Sequence, residues 1–354
     1  MLSILLSCSA LLPRLAPTSV RLARSPVPSM VTSDDDVAGA QLVWFTGAAD
    51  LRVKDHGGLL VAAANCEDNA AVVPVFILDP VVHLQRPPYL VRRLQRALTS
   101  LEAELQVRHG CPLIVRSGPA LDVLPQVARE CGATACHVIS DDVCDGSRAM
   151  MVAGCAALTD AGIEICRWDA GLRATPFVRE PTALPDSFPE YVAGIEYLPL
   201  QAPLSDEVED GELPVLLTPL PTEGVPSVAA LLEAAEAATP PALRDAWASA
   251  AAASTTPPYE SSVLSWCEEA AARKALNDYV RDGRAAFADA ALADAVGGAS
   301  ASLHAAAAQR LVEGGVRPSD GLALREAAVR AFSPALALGV LSTREVGEIA
   351  YACS

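Results

Sequence analysis

The chain has 354 residues, of which 51% are hydrophobic and 5% aromatic, with 26 basic against 43 acidic residues. This length is enough for two domains, each with its own hydrophobic core. The formal net charge of −17 argues against a surface that neutralises phosphates, so we expect DNA not to be a partner. No run of roughly 18 apolar residues predicts a membrane span.

The start of the chain differs from the rest. Residues 1–33 hold Arg14, Arg21 and Arg24, seven serines and no acidic residue. This composition is typical of an organelle-targeting segment. We therefore expect residues 1–37 to be a targeting or disordered segment, and the destination to be a plastid rather than a mitochondrion. The apolar start also fits a secretory signal, and a cytoplasmic location is a further alternative.

Five apolar runs have the length and composition of buried strands. They are residues 41–45, 72–78, 112–116, 134–139 and 163–168. Runs that are apolar on both faces are typical of a parallel sheet covered by helices on both sides. Helical patterns separate them at 89–107, at 122–131 (with Pro125 expected in the first turn) and at 147–161. The alternation predicts a doubly wound, Rossmann-like α/β domain with a five-stranded parallel sheet over residues 38–180.

The pattern changes after residue 180. Residues 181–226 are rich in proline, and between Glu180 and Glu236 there are twelve acidic residues and no basic one. We interpret residues 181–226 as an acidic, proline-rich linker. From residue 227 to residue 354 the alanine-rich sequence predicts a small α-helical region. Ser342 and Glu345 form the pattern of a capping box at its last helix.

The ten cysteines include no C-x-x-C pair. A zinc site usually needs ligands at short, paired spacing. We therefore expect no metal site, and we interpret the cysteines as reduced and mostly buried thiols.

Ligands of doubly wound sheets bind outside the carboxyl ends of the strands, where the strand order reverses. Small and polar residues follow the predicted strands at this edge. From them we predict as ligand contacts Thr46, Asp50, Arg52, Asp79, Ser117, Gly118, Asp141 and Asp142. Carboxylates dominate this set, which suits a hydroxylated or cationic ligand better than a polyphosphate.

The sequence predicts no catalytic residue in this domain, because it has no G-x-G-x-x-G motif, no P-loop and no G-x-S-x-G elbow. A structural interpretation of the same residues stays open. Asp79, Asp141 and Asp142 could end strands and cap helices. Asp50 and Arg52 could be a structural pair that locks the domain to its neighbour.

Several segments resemble the photolyase/cryptochrome family. Leu42–Phe45 and Asp50–His56 are similar to the family opening W-F-R-x-D-L-R-x-x-D-N, and further pieces follow in family order at 72–80, 113–127, 130–138 and 161–165. Residues 332–346, with F-S-P-A-L, Gly339 and S-T-R-E-V, look like the start of the family's flavin-binding helical domain. The resemblance covers about residues 40–180 well and about 320–352 more thinly.

The resemblance implies an antenna-chromophore site for a pterin or a deazaflavin in the α/β domain, and it adds Ser333 to the cofactor-binding residues. The sequence also departs from the family. Thr46 replaces an arginine, His56 replaces an asparagine, and Arg330–Ala331 replaces the Thr-Ser pair that holds the flavin phosphates. The later family helices supply the flavin pocket and the DNA groove, and the sequence ends at Ser354 before them. We therefore do not expect FAD binding by this chain alone.

These observations predict a photolyase/cryptochrome-like protein without autonomous DNA photorepair. Its α/β domain is expected to bind an antenna chromophore or another small ligand at the strand ends. One alternative is that the chain is a truncated part of a larger flavin-dependent photolyase, cryptochrome or multidomain enzyme. Another is a non-catalytic scaffold whose acidic linker binds a protein partner.

Overall fold

The computed structural model describes residues 39–66, 70–140, 145–169, 204, 208, 211, 213–215, 220–253, 267–281 and 335–346. The predicted targeting segment lies outside the described residues, as do the predicted ligand contacts Asp141, Asp142 and Ser333. Within the described ranges, no helix is both long enough and apolar enough to cross a membrane.

Five parallel strands form one sheet in the order β3-β2-β1-β4-β5. They are β1 (Ala40–Phe45), β2 (Val72–Leu78), β3 (Ile114–Ser117), β4 (Ala133–Ile139) and β5 (Glu164–Trp168). Every residue of β1 and β2 is buried, because helices cover both faces of the sheet. The predicted doubly wound parallel sheet is confirmed, and each strand begins and ends within two residues of its predicted bounds.

Seven α-helices and one turn of π-helix lie in the described ranges. The helices are α1 (Gly57–Asn65), α2 (Pro88–His109), α3 (Ala120–Glu130), α4 (Asp145–Asp160), α5 (Val228–Ala238), α6 (Pro241–Ala253) and α7 (Glu269–Arg281). The π-helical turn is Pro80–Leu84. Four leucines of α2 repeat at helical spacing and are buried in the core, as their pattern predicts: Leu94, Leu98, Leu101 and Leu105.

Pro125 does not lie in the first turn of its helix, contrary to the prediction. α3 begins at Ala120, so Pro125 falls inside the helix. A proline there has no N–H for the carbonyl four residues earlier, which is that of Leu121. Leu121 is 48% exposed. The break in the hydrogen-bond pattern therefore lies next to an exposed position of the helix.

The sheet separates two hydrophobic cores. Val43 and Phe45 of β1 face the first core, which contains α1 and α2. Leu42 and Trp44 of the same strand face the second core, which contains α3 and α4. Buried residues of α5, α7 and the segment 335–346 all belong to the first core. The helical region therefore packs on the α1–α2 face of the α/β domain.

The two edges of the sheet differ. At β3, Val115 donates its N–H to Thr222 Oγ1 over 3.0 Å, and its carbonyl accepts the N–H of Glu223, also over 3.0 Å. Described residues of the predicted linker thus lie along this edge. At the opposite edge, Glu164 and Arg167 of β5 are exposed.

Candidate functional site

Asp50 organises the β1 loop (residues 46–56), which follows the first strand at the carboxyl edge of the sheet. Its carboxylate accepts hydrogen bonds from the Thr46 N–H (2.6 Å), the Thr46 hydroxyl (2.8 Å) and the Gly47 N–H (2.9 Å). Burial raises the pKa of Asp50 to about 6, although these hydrogen bonds act in the opposite direction. Thr46 and Asp50, two of the predicted ligand contacts, therefore bind each other.

Arg52 points inward and is 1% exposed. Its guanidinium donates to the carbonyls of Ala49 (2.8 Å), Asp55 (3.0 Å) and Gly339 (3.0 Å). Burial lowers the pKa of Arg52, while Asp55, Glu269 and Asp50 act against that shift. Arg52 thus ties the β1 loop to the segment 335–346, which is the structural role left open for it above.

Asp55 makes the second connection to that segment. Its carboxylate accepts hydrogen bonds from the Ser342 hydroxyl, from Arg344 Nη1 (3.2 Å) and from the Leu204 N–H (2.8 Å). The backbone of Asp55 is left-handed, with φ of 49°. Non-glycine residues adopt this conformation at a cost, so it needs support from surrounding contacts. The three bonds to Asp55 supply that support.

The segment 335–346 also pairs with the β1 loop through its backbone. Ala49 donates its N–H to the Ala337 carbonyl (3.1 Å), and Leu51 donates to the Leu338 carbonyl (3.0 Å). Gly339 lies against the loop with φ of 75°, and a Cβ there would overlap the backbone of Ala49. Only glycine fits this position, since the contact is with backbone and the backbone conformation is left-handed.

The capping box predicted at Ser342 is only half formed. The Ser342 hydroxyl accepts the N–H of Arg344 over 3.1 Å. Glu345 forms an ion pair with Arg273 of α7 instead of closing the box. The reason is tertiary: α7 brings the half-buried Arg273 beside Glu345, and a charged partner binds a carboxylate more strongly than a neutral N–H does.

Glu269, the first residue of α7, holds the β1 loop from another side. Its carboxylate accepts the N–H groups of Val53 (2.9 Å) and Lys54 (3.1 Å) and pairs with Arg273 at 3.1 Å. Burial raises the pKa of Glu269. The β1 loop is therefore fixed both to α7 and to the segment 335–346.

Asp79 lies at the end of β2 and caps two elements. One carboxylate oxygen accepts the N–H groups of Val81 (2.9 Å) and Val82 (3.3 Å) in the π-helical turn. The other oxygen accepts the Ala120 N–H at the start of α3, over 3.3 Å. The capping role left open for Asp79 is thus present in the structure.

His83 joins the ends of β1 and β2 and was not among the predicted residues. Its Nδ1 accepts the Asp79 N–H (3.0 Å), so its Nε2 carries the proton and donates to the Thr46 carbonyl (3.0 Å). Burial lowers the pKa of His83 to about 4, which keeps the ring neutral. The sequence gives little indication of this role, because His83 is a single histidine in an apolar stretch and its hydrogen-bond partners depend on the π-helical turn.

Ser117 and Gly118 lie at the end of β3, the outermost position of this carboxyl edge. The Ser117 hydroxyl donates to Glu223 over 2.7 Å, and the Gly118 N–H donates to the Leu78 carbonyl over 3.1 Å. The structure therefore brings Thr46, Asp50 and Asp79 together through His83, with Ser117 and Gly118 beside them. Arg52 points instead toward the helical region.

His56 caps α1 and stands where the family resemblance expects asparagine. Its Nδ1 accepts the Leu59 N–H over 3.0 Å, as the oxygen of an asparagine cap would. The ring lies between Phe45 and Trp168, with ring centroids 4.7 Å and 4.3 Å away. Burial and the nearby Arg52 hold the pKa of His56 well below its ordinary value. Histidine therefore replaces the cap and also extends an aromatic cluster.

Among the described residues, no three His, Cys, Asp or Glu side chains are grouped closely enough to hold a metal ion. The seven cysteines in the described ranges form no disulfide, and five of them are buried.

Comparison with known proteins identifies the α/β domain. The model of the DNA photolyase family matches residues 41–176, which span β1 to β5. Residues 41–176 therefore form a domain of the DNA photolyase family. The family resemblance expected from the D-L-R segment and the strand order is thereby confirmed.

Individual members of the photolyase/cryptochrome family agree with this assignment. A cryptochrome DASH of Natronomonas pharaonis is 33% identical over 204 residues, which are 53% of this chain and 40% of the relative. The solved cryptochrome of Synechocystis sp. PCC6803 is similar in fold, with a TM-score of 0.57 and 23% identity over 89% of this chain and 55% of that one. An archaeal photolyase from Sulfolobus tokodaii gives a TM-score of 0.50 and 17% identity, over 87% and 54% of the two chains. The chain spans about half the length of these solved structures.

Within the photolyase/cryptochrome resemblance, the D-L-R-V-K-D-H segment now has a physical role. Asp50 shapes the loop, and Arg52 and Asp55 bind the segment 335–346. His56 then starts α1. The family-like residues of this loop are therefore the ones that fix the α/β domain to the helical region.

Proposed function

We propose that this photolyase/cryptochrome-family chain binds an antenna chromophore or another small ligand at the carboxyl ends of its strands, and that it does not repair DNA on its own. The observation that carries this proposal is the buried connection of Arg52 and Asp55 to Gly339, Ser342 and Arg344. Light-driven cofactors depend on the protein for their placement. This connection fixes the α/β domain to the helical region. A chromophore bound in the α/β domain is thereby held in a fixed position relative to the helical region.

The polar loops at the carboxyl edge support a site in the α/β domain itself. The β1 loop and the loop after β4 flank the point where the strand order reverses, the usual ligand position of this fold. The Sulfolobus tokodaii photolyase, similar in fold, was solved with two FAD molecules and described as implying a novel light-harvesting cofactor. We carry over to this chain only the proposal of a pterin, deazaflavin or related chromophore.

The absence of autonomous repair is proposed from charge. A protein that binds duplex DNA neutralises several phosphates with basic side chains, and its affinity depends on that number. This chain has 17 more acidic than basic residues. Close approach to a lesion in a duplex is therefore opposed by repulsion over the protein as a whole.

Ligand binding is tested by absorbance of the purified protein and by fluorescence titration with riboflavin and with a reduced pterin. We expect saturable binding of one of these rings. The double variant Asp141→Ala/Asp142→Ala should weaken it about tenfold, which corresponds to the loss of one or two polar contacts. Asp160→Ala is the matched control, because α4 ends at Asp160 on the side of the amino ends of the strands, away from their carboxyl ends. A colourless protein that binds neither ring would contradict the proposal.

Repair is measured separately with a duplex oligonucleotide that carries a thymine dimer, under blue light and with added FAD. We expect the dimer content to stay constant. Light-dependent loss of the dimer would overturn the second half of the proposal without affecting the first.

A non-catalytic scaffold is the second candidate. The scaffold is favoured because the polar atoms of Thr46, Asp50 and Arg52 form hydrogen bonds with other groups of the protein. The same titrations separate the two candidates, since a scaffold leaves both rings unbound.

A further inference from the structure

Two buried side-chain N–H groups lie at the first turn of α1. His56 is 3% exposed, and its Nδ1 accepts the Leu59 N–H, so the proton of the neutral ring is on Nε2. Trp168, at the end of β5, is 8% exposed. Within the described part of the chain, neither His56 Nε2 nor Trp168 Nε1 has a hydrogen-bond partner. Buried donors of this kind are rare and call for an acceptor.

The two groups lie close to each other and to the helix backbone. The ring centroids of His56 and Trp168 are 4.3 Å apart. A Cβ placed on Gly58 would be 2.7 Å from Trp168 Nε1 and 3.0 Å from His56 Cε1. A Cβ on Gly57 would be 3.1 Å from the same indole ring. The indole therefore lies along the Gly57–Gly58 backbone, next to the histidine.

The backbone of this turn adds two more donors. The first N–H groups of a helix have no acceptor within the helix. In α1, the Leu59 N–H is bound by His56 Nδ1 and the Leu60 N–H by the His56 carbonyl. The N–H groups of Gly57 and Gly58 are left, at the positive end of the helix dipole. Among the described residues, four N–H donors without an acceptor thus lie around the first turn of α1.

The charges around this turn favour an anion of low charge. The Arg52 guanidinium lies 5.9 Å from the centre of the Trp168 ring. Asp55 is bound by Ser342, Arg344 and Leu204, and Asp50 is bound by the start of its own loop. Exposed Asp169 follows Trp168 directly, and it limits how much negative charge the turn can accept.

We propose that the turn formed by His56, Gly57, Gly58 and Trp168 binds an oxyanion, either a phosphate group or a carboxylate. Gly57 is half-buried, so the turn lies just below the protein surface. The indole nitrogen is covered, and binding requires a small outward rotation of the ring. Gly57 and Gly58 have no Cβ, and the indole occupies the space beside them. The proposal does not depend on the chromophore site, which involves other residues.

The test follows the indole N–H signals of protein labelled with ¹⁵N-tryptophan. Inorganic phosphate is titrated at constant ionic strength against chloride, and sodium acetate is titrated in parallel. The variant Trp168→Phe identifies the signal of Trp168. We expect this signal to shift and saturate, with the anion of higher affinity showing which oxyanion the site prefers. Trp44 is an internal control, because its Nε1 is also buried without a partner among the described residues, but its ring packs against Gly154 of α4 instead of against α1.

Two variants change the site itself. Gly58→Ala places a methyl group against the indole nitrogen, and His56→Ser keeps a capping oxygen but removes the Nε2 donor. Each should weaken binding about tenfold or more. Ser227→Ala is the control, because Ser227 caps the amino-terminal end of α5, where no such donors meet among the described residues. A Trp168 signal that does not saturate in the wild type, or an affinity in both site variants equal to that of the wild type, would overturn the proposal.

Discussion

The buried carboxyl group of Asp50 makes stability depend on pH in an unusual direction. Burial raises its pKa from 3.8 to about 6 on folding. A carboxyl group with a raised folded pKa stabilises the fold below its unfolded pKa, and this contribution is lost as pH rises through the folded value. The full shift corresponds to about 3 kcal/mol, of which about 2 kcal/mol falls between pH 4 and pH 7.

We therefore expect the variant Asp50→Asn to lose this dependence. The unfolding free energy of the wild type, relative to the variant, should rise by about 2 kcal/mol as the pH is lowered from 7 to 4. Urea unfolding at several pH values measures it. Asp160→Asn removes an exposed carboxyl group and controls for the change in net charge. A difference that is constant with pH would show that Asp50 does not titrate in this range.

His56 and His83 differ in how far their roles could be predicted from the sequence. The D-L-R segment is visible in the sequence, and so is the replacement of asparagine by His56. The cap that His56 forms follows from the residue type needed there. The bond of His83 to the Thr46 carbonyl could not be predicted, because it depends on how the π-helical turn folds back on β1.

At the scale of elements, Gly339 packs directly against the backbone of the β1 loop. We expect Gly339→Ala to detach the segment 335–346, because the methyl group would overlap the backbone of Ala49. Hydrogen exchange measures this directly. The N–H groups of Ala49 and Leu51, which donate to Ala337 and Leu338, should exchange much faster in the variant.

Gly224→Ala is the matched control for this change. Gly224 also has a positive φ, 68°, but a Cβ there would meet nothing within 4 Å. It therefore carries only the backbone cost of a left-handed alanine, about 1–2 kcal/mol. If both variants leave the exchange of Ala49 and Leu51 unchanged, Gly339 is not a requirement for docking.

The elements themselves were largely predictable. All five strands were read from apolar runs, since a strand buried on both faces leaves no other pattern. The sequence did not predict the bounds of α3, nor that the capping box at Ser342 would be only half formed. Both depend on partners distant in sequence: α3 starts where Asp79 binds Ala120, and Glu345 turns to Arg273.

At the scale of the whole molecule, Asp55 is the charged centre of the connection between the two regions. We expect Asp55→Asn to reduce the unfolding free energy by about 3–5 kcal/mol, because it leaves Arg344 with a neutral partner in a buried site. Urea unfolding measures the change.

Glu130→Gln is the control for the loss of an ion pair as such. The pair of Arg116 and Glu130 lies at the surface, where such pairs contribute about 0–1 kcal/mol. Equal effects of the two variants would mean that the buried position of Asp55 does not matter.

The sequence also allowed both roles of the carboxyl-edge residues to be stated, ligand contact and structural contact. It could not rank them, because the contacts of Arg52 and Asp55 run to residues up to 289 positions away. Ligand contact by Thr46, Asp79, Ser117 and Gly118 stays a prediction, as does the destination of the chain in the cell.

The two edges of the sheet have a consequence for self-association. An open strand edge can pair with the same edge of another copy and start aggregation. Here the β3 edge is occupied by Thr222 and Glu223 of the same chain. The β5 edge instead carries an exposed glutamate and an exposed arginine, Glu164 and Arg167, and charged side chains disfavour such pairing. Thr222 and Glu223, near the end of the acidic, proline-rich stretch, therefore also cover a strand edge that could otherwise pair with another copy of this sheet.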